Sequence, residues 1–142
     1  KAAGGRAAAS RKSKVGKRAG MCPASAPFHS YLLNPASGRL ERVLAGLIFS
    51  APQIPVVNNV DVAVVTDTAQ IKDALARQAC NPVRWVEVIQ HIARSGVTHV
   101  GECGPGKVLA GMTKRIDSDL HGFAIADAAS LMQAVETYAQ AA

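Results

Sequence analysis

From residue 34 onward the chain alternates between two kinds of segment. Short β-branched runs are separated by stretches of helical period, most of them opened by Asn or Asp. Leu40, Val43, Leu44 and Leu47 recur at i, i+3, i+4 and i+7, one apolar helix face. Asn34-Pro35 ahead of them reads as an N-cap followed by a first-turn proline. Ile54 to Val57 is a β-branched run among prolines, and Val60, Val62 and Val64 alternate as a strand does. Asp67 caps the next expected helix, with Ile71, Ala74, Leu75 and Gln78 on one face. Asn81-Pro82 repeats the capping device before Trp85, Val86, Ile89, Ile92 and Ala93, and Gly96 stands where a C-terminal glycine belongs. Val97 to Val100 reads as a strand, Gly104-Pro105-Gly106 as a turn into a helix with Val108, Leu109 and Met112, and Phe123 to Ala126 as another strand. Asp127 then caps a helix carrying Leu131, Val135 and Tyr138. Strands interleaved with helices predict a layered α/β domain.

Residues 1–24 do not share this pattern. Residues 1 to 20 hold seven basic side chains and no acidic one, whereas the other 122 hold nine basic and ten acidic, a net of −1. The formal charge of +6 therefore sits in the head, and the body is no basic platform for nucleic acid. An Ala/Arg/Ser-rich, acid-free head has the composition of a transit peptide, and a solvated helix face gives the same counts. With 49% hydrophobic residues the chain can bury a core, and its apolar runs all fall short of the ~18 residues of a membrane span. These features predict a soluble protein. Cys22, Cys80 and Cys103 are odd in number and lack Cys-x-x-Cys spacing, which speaks against a disulfide framework or a zinc site and suits a reducing, cytoplasmic setting.

The candidate reactive group is His29, between Phe28 and Ser30 on a short connection before the first capped helix. Loops held by rigid scaffolds are where reactive side chains are displayed, and a backbone-bonded loop histidine gives the same pattern. His91 falls on a helix, His99 in a strand and His121 in the acidic turn before one; no pair has the spacing of metal ligands on a helix face. Gly104-Pro105-Gly106-Lys107 lacks the spacing of a phosphate loop. Neither Cys103 nor any of the nine serines sits in a Gly-x-nucleophile-x-Gly elbow. Asn58-Asn59-Val60-Asp61 reads as a turn.

Taken in order, four segments resemble a family. Ser25-Ala26-Pro27-Phe28-His29-Ser30 with Asn34-Pro35-Ala36 is similar to the histidine motif of malonyl-CoA:acyl carrier protein transacylases. Pro55-Val56-Val57-Asn58-Asn59-Val60-Asp61 resembles their next segment and Gln78-Ala79-Cys80-Asn81-Pro82-Val83-Arg84-Trp85 a third. Glu102-Cys103-Gly104-Pro105-Gly106-Lys107-Val108-Leu109, continued by Thr113-Lys114-Arg115, resembles a fourth. The likeness is strong over residues 23–116 and reaches toward the end. Departures are the head, where Gly20-Met21-Cys22-Pro23-Ala24 is a poor strand, and Cys103, at a position where an apolar residue is commoner and which is read as packing.

The resemblance implies an α/β-hydrolase-like large subdomain, here partial over residues 25–142, with residues 1–24 the tail end of a ferredoxin-like small subdomain. It implies that His29 is the base for a serine in an upstream Gly-His-Ser-x-Gly elbow and that the Gln78 backbone carbonyl orients the imidazole. The carboxylate-binding arginine and the oxyanion-hole donors would also lie upstream. The implied reaction is ping-pong transfer of malonyl from malonyl-CoA, the substrate, to the phosphopantetheine thiol of acyl carrier protein. No cofactor, metal, nucleic acid or membrane is called for. Competing readings are a fragment of a polyketide synthase acyltransferase domain and a non-catalytic binding module anchored by the basic head. Because the family's nucleophile has no counterpart among these serines, incubation with malonyl-CoA should leave no stable malonyl ester on any of them by intact-mass analysis. A hydroxylamine-resistant adduct on a serine of this chain would contradict the assignment, with labile thioesters on Cys22, Cys80 or Cys103 removed by the same treatment.

Overall fold

The structure, a computed structural model, describes residues 26–138. The basic head, Cys22 and Ser25 lie outside the described residues. A 3₁₀ turn, Tyr31–Leu33, leads into α1 (Asn34–Ala45); β1 (Val57–Asn58), β2 (Ala63–Val64), α2 (Thr68–Gln78), α3 (Trp85–Arg94), β3 (His99–Cys103), α4 (Val108–Ile116), β4 (His121–Ile125) and α5 (Ala128–Tyr138) follow. The mixed α/β class is as expected from the alternation.

Two helix starts follow the expected chemistry. The Asp67 carboxylate accepts from the Gln70 N–H at 2.9 Å. The Asp127 carboxylate accepts from the Ser130 N–H at 2.8 Å. Each satisfies a first-turn donor that has no partner within its helix. The two Asn-Pro sites behave differently. Asn34 is already helical, because the 3₁₀ turn has begun the winding, and Leu33 occupies the cap position without a side-chain bond. Asn81 closes α2 rather than opening α3: its side-chain amide donates to the Arg77 carbonyl at 2.7 Å. α3 starts only at Trp85. Gly96 does end α3, at φ +86° with its N–H on the Ala93 carbonyl at 3.0 Å.

The strands are shifted from their expected positions. β3 and β4 pair in parallel, from His99 opposite His121 to Cys103 opposite Ile125. Mutual pairing moves β3 two residues past the apolar run at Val97 and draws His121 into β4, out of the turn. β1 and β2 form an antiparallel hairpin, Val57 opposite Val64 and Asn58 opposite Ala63. Of the alternation at Val60, Val62 and Val64, only Val64 lies in a strand. Residues 59–62 form the turn, with the Asp61 N–H on Asn58 Oδ1 at 2.7 Å, the Asn58 amide on the Ala63 carbonyl at 3.0 Å, and Val62 at φ +59°. Asn and Asp favour such turns because their side chains bond neighbouring backbone.

α1 packs on α2, where Ser37 Oγ donates to the Ala76 carbonyl at 2.6 Å, and α4 and α5 pack on β4. The buried apolar residues are Leu44, Ala74, Ala76, Val88, Ile89 and Leu120. Of the expected stripe on α1 only Leu44 is buried, and Leu47 falls past the helix end; on α2, Ala74 and Ala76 are buried while Leu75 is exposed. Ile48, Ile54 and Val108 also stay exposed, so apolar faces remain that no described element covers.

The β4–α4 contact depends on Gly122. A Cβ there would lie 2.5 Å from the Ala110 carbonyl oxygen and 3.1 Å from Thr113 Cβ, whereas one on Gly38 or Gly111, both helical, meets nothing within 4 Å. Gly122→Ala should cost about 1–3 kcal/mol through forced displacement of backbone. Gly38→Ala and Gly111→Ala should each stabilise by up to about 1 kcal/mol, because helical Gly is intrinsically unfavourable. Denaturant midpoints of the three variants check this, and a Gly122→Ala protein as stable as Gly111→Ala would refute the packing.

Candidate active site

His29 stands on the tight connection that precedes α1. Ser30 Oγ donates to the Pro27 carbonyl at 2.7 Å and the Leu33 N–H to the Ser30 carbonyl at 2.9 Å, closing a local loop around it. His29 itself lies at φ +57°, a left-handed conformation uncommon for a residue with a Cβ. Its ring Nδ1 is 3.1 Å from the backbone carbonyl oxygen of Gln78, 49 residues away. A carbonyl can only accept, so Nδ1–H is the donor. In the neutral ring that leaves the lone pair on Nε2, free to take a proton. The imidazole is exposed. The structure thus brings together the two site residues expected from the sequence, His29 and Gln78.

Gln78 is the last residue of α2, where helical carbonyls have no partner within the helix. Here successive carbonyls find other donors. That of Ala76 accepts from Ser37 Oγ, and that of Arg77 from the Asn81 side chain and backbone at 2.7 and 3.1 Å. The carbonyl of Gln78 accepts from His29. The Arg77 guanidinium reaches the β1–β2 turn, donating from both terminal nitrogens to the two oxygens of Asp61 at 2.8 Å each and from Nε to Asp73 at 2.7 Å. These bonds raise the Arg77 pKa further above its ordinary value, Asp61 contributing most. The bond from Arg77, with the charges of Arg77 and Arg84, holds the Asp61 carboxyl below the usual carboxylate range. The same turn takes a backbone bond from the Arg84 N–H to the Asn59 carbonyl at 3.2 Å. The segments around Asn58 and Gln78 are therefore neighbours in space. Between them opens a largely apolar cavity of about 410 Å³, lined among others by Phe49, Val56, Asn58, Ile71 and Gln78.

The Asp61–Arg77 pair escaped the reading of the sequence. Asp73 and Arg77 have recognisable i, i+4 spacing, but Asp61 meets Arg77 only because the hairpin folds back on α2. A second partnership also went unread. The Glu102 carboxylate accepts from the Ala110 N–H in the first turn of α4 at 2.8 Å. Between them Gly104 and Gly106 stand at φ +139° and +123°. The end of α4 that a phosphate loop would offer to an anion is thus filled by the chain's own carboxylate.

The remaining candidates fall outside the His29 site. Cys103 is exposed rather than packed, because β3 alternates and Cys103 ends it on the uncovered side. Cys80 is half-buried, its thiol on the Arg77 carbonyl at 3.4 Å. His99 and His121, paired across β3 and β4, stack with centroids 5.1 Å apart. His91 lies on α3. Among the described residues no three His, Cys, Asp or Glu side chains converge to hold a metal, and no helix is long and apolar enough to cross a membrane.

No family model matches the chain. Two curated relatives are both named malonyl CoA-acyl carrier protein transacylase. That of Salmonella typhimurium is 49% identical over 130 residues, which cover 92% of this chain and 42% of that protein. That of Haemophilus influenzae is 44% identical over 138 residues, 97% of this chain and 44% of that protein. Among solved structures, an acyl-carrier-protein S-malonyltransferase from Burkholderia pseudomallei superposes with a TM-score of 0.91 at 62% identity, covering 96% of this chain and 44% of the other. A malonyl-transacylase solved in complex with a type II polyketide synthase acyl-carrier protein gives 0.92 at 45% identity, with the same coverage. The chain spans less than half the length of these relatives.

Proposed function

We propose, from the premise that this chain belongs to the malonyl CoA-acyl carrier protein transacylase family as a C-terminal segment, that it supplies the general base of a Ser/His acyl transfer. The observation that carries the reading is the His29–Gln78 bond, which protonates Nδ1 and frees Nε2. In the whole protein a serine of the upstream portion gives its proton to His29 Nε2 as its oxygen attacks the thioester carbonyl of malonyl-CoA. The coenzyme A thiolate leaves and takes that proton from the imidazolium. In the second half-reaction His29 accepts the proton of the phosphopantetheine thiol of acyl carrier protein as its sulfur attacks the malonyl-serine ester, and returns it to the serine oxygen. Gln78 acts through its backbone, holding the ring's tautomer and direction.

On the same reading residues 25–142 belong to the later part of an α/β-hydrolase-like large subdomain; the small-subdomain tail expected over residues 1–24 lies outside the described residues. The setting is cytoplasmic, with malonyl-CoA and acyl carrier protein as partners. The likeness to a transacylase solved with a type II polyketide synthase carrier protein keeps a second reading, in which the carrier belongs to polyketide rather than fatty-acid synthesis.

General acid–base residues contribute typically ~10²–10⁴-fold. In the full-length protein His29→Ala should lower malonyl transfer by about that factor and leave the circular dichroism spectrum unchanged, since the side chain is exposed. His91→Ala and His121→Ala should change transfer by less than about threefold, within the scatter expected of substitutions away from the chemistry. Near-normal transfer by His29→Ala would remove the basis of the proposal.

A further inference from the structure

The end of α2 has no glycine to close it. Ala79 continues in right-handed helical geometry and its N–H makes a long bond, 3.4 Å, to the Ala76 carbonyl. A last turn of this kind frays unless tertiary contacts hold it. Yet the Gln78 carbonyl, at that end, is what His29 leans on. The charged contact near it is made by its neighbour: Arg77 donates from its two terminal nitrogens to the two oxygens of Asp61 at 2.8 Å each, and from Nε to Asp73 at 2.7 Å. Such a fork fixes direction as well as distance, which a lysine cannot do. Asp61 is in turn fixed by the Asx turn on Asn58, inside the β1–β2 hairpin.

We propose that Asp61 and Arg77 are positioning residues for His29: the pair clamps the last turn of α2 to the hairpin and so sets where the Gln78 carbonyl meets Nδ1. This rests on the general-base reading above. The pair is about two-fifths exposed on each side, so as an isolated surface ion pair it would add little to stability. Its effect is geometric. Displacement of a hydrogen-bonding group by a fraction of an ångström at a catalytic base is felt in turnover far more than in folding.

The test uses the full-length protein with ¹⁵N-labelled histidine, comparing wild type with Asp61→Asn, Arg77→Met and the double variant. Glu87→Gln serves as a control, because it weakens the exposed Arg84–Glu87 pair through a carboxylate that bonds Arg84 and makes no hydrogen bond to His29, Gln78, Asp61 or Arg77. In wild type at neutral pH the His29 Nδ1 should be the protonated nitrogen. Asp61→Asn and Arg77→Met should convert His29 to a mixture of tautomers and lower kcat roughly tenfold with KM within about twofold. The double variant should lose no more than the worse single one, as two halves of one device do, and Glu87→Gln should match wild type in both readouts. Wild-type tautomer and kcat in Asp61→Asn, an almost isosteric change, would overturn the positioning role while His29→Ala still reports on the base itself. Additive losses in the double variant would also overturn it, since they would mean the two residues act separately.

Discussion

Everything that can be said about chemistry in this chain depends on one hydrogen bond between an imidazole and a helix-end carbonyl. The bond has two sides with different origins. On the histidine side, Pro27, Ser30 and the 3₁₀ turn hold a short connection so tightly that His29 adopts a left-handed backbone. On the carbonyl side, α2 ends without a glycine, and its final carbonyls are answered by Ser37 from α1, by Asn81 from the following segment, and by His29. Helix ends leave such groups without a partner inside the helix. Here the carbonyl of Arg77 is answered locally and those of Ala76 and Gln78 by distant partners, and the one left for His29 determines which ring nitrogen keeps its lone pair.

Local chemistry was legible in the sequence where it was self-contained. Asp67 and Asp127 cap their helices through side chains three residues from their donors, and Gly96 ends α3 through its own φ. Asn81 carried the same signal and misled, because an Asn side chain serves a helix end as readily as a helix start; at Asn34 the helix begins as expected with Pro35 in its first turn, but without a side-chain cap. Asn81 is recruited backwards by the Arg77 carbonyl, four residues before it. Strand limits were displaced by pairing: β3 takes its length from β4, and the valines of 60–62 are spent in a turn.

The site divides the same way. His29 could be singled out by its loop context. Gln78 could be named only through resemblance, since a backbone carbonyl leaves no mark on the side-chain sequence. The Asp61–Arg77 pair, 16 residues apart, needed the hairpin to be folded before it could be seen. The exposed apolar side chains, Ile48 and Ile54 among them, have the same explanation at larger scale. Periodicity identifies a face as apolar, but what covers it is a property of the whole assembly, and this chain corresponds to under half of its relatives' length.

The central claim, that Gln78 orients His29 so that Nε2 faces a serine supplied by the rest of the protein, is tested most directly by a crystal structure of the full-length protein. The account predicts His29 Nδ1 on the Gln78 carbonyl and Nε2 within hydrogen-bond reach, ~2.6–3.2 Å, of a serine oxygen in the upstream portion. A ring whose Nδ1 bonds another acceptor, or whose Nε2 points to solvent away from any serine, would contradict it.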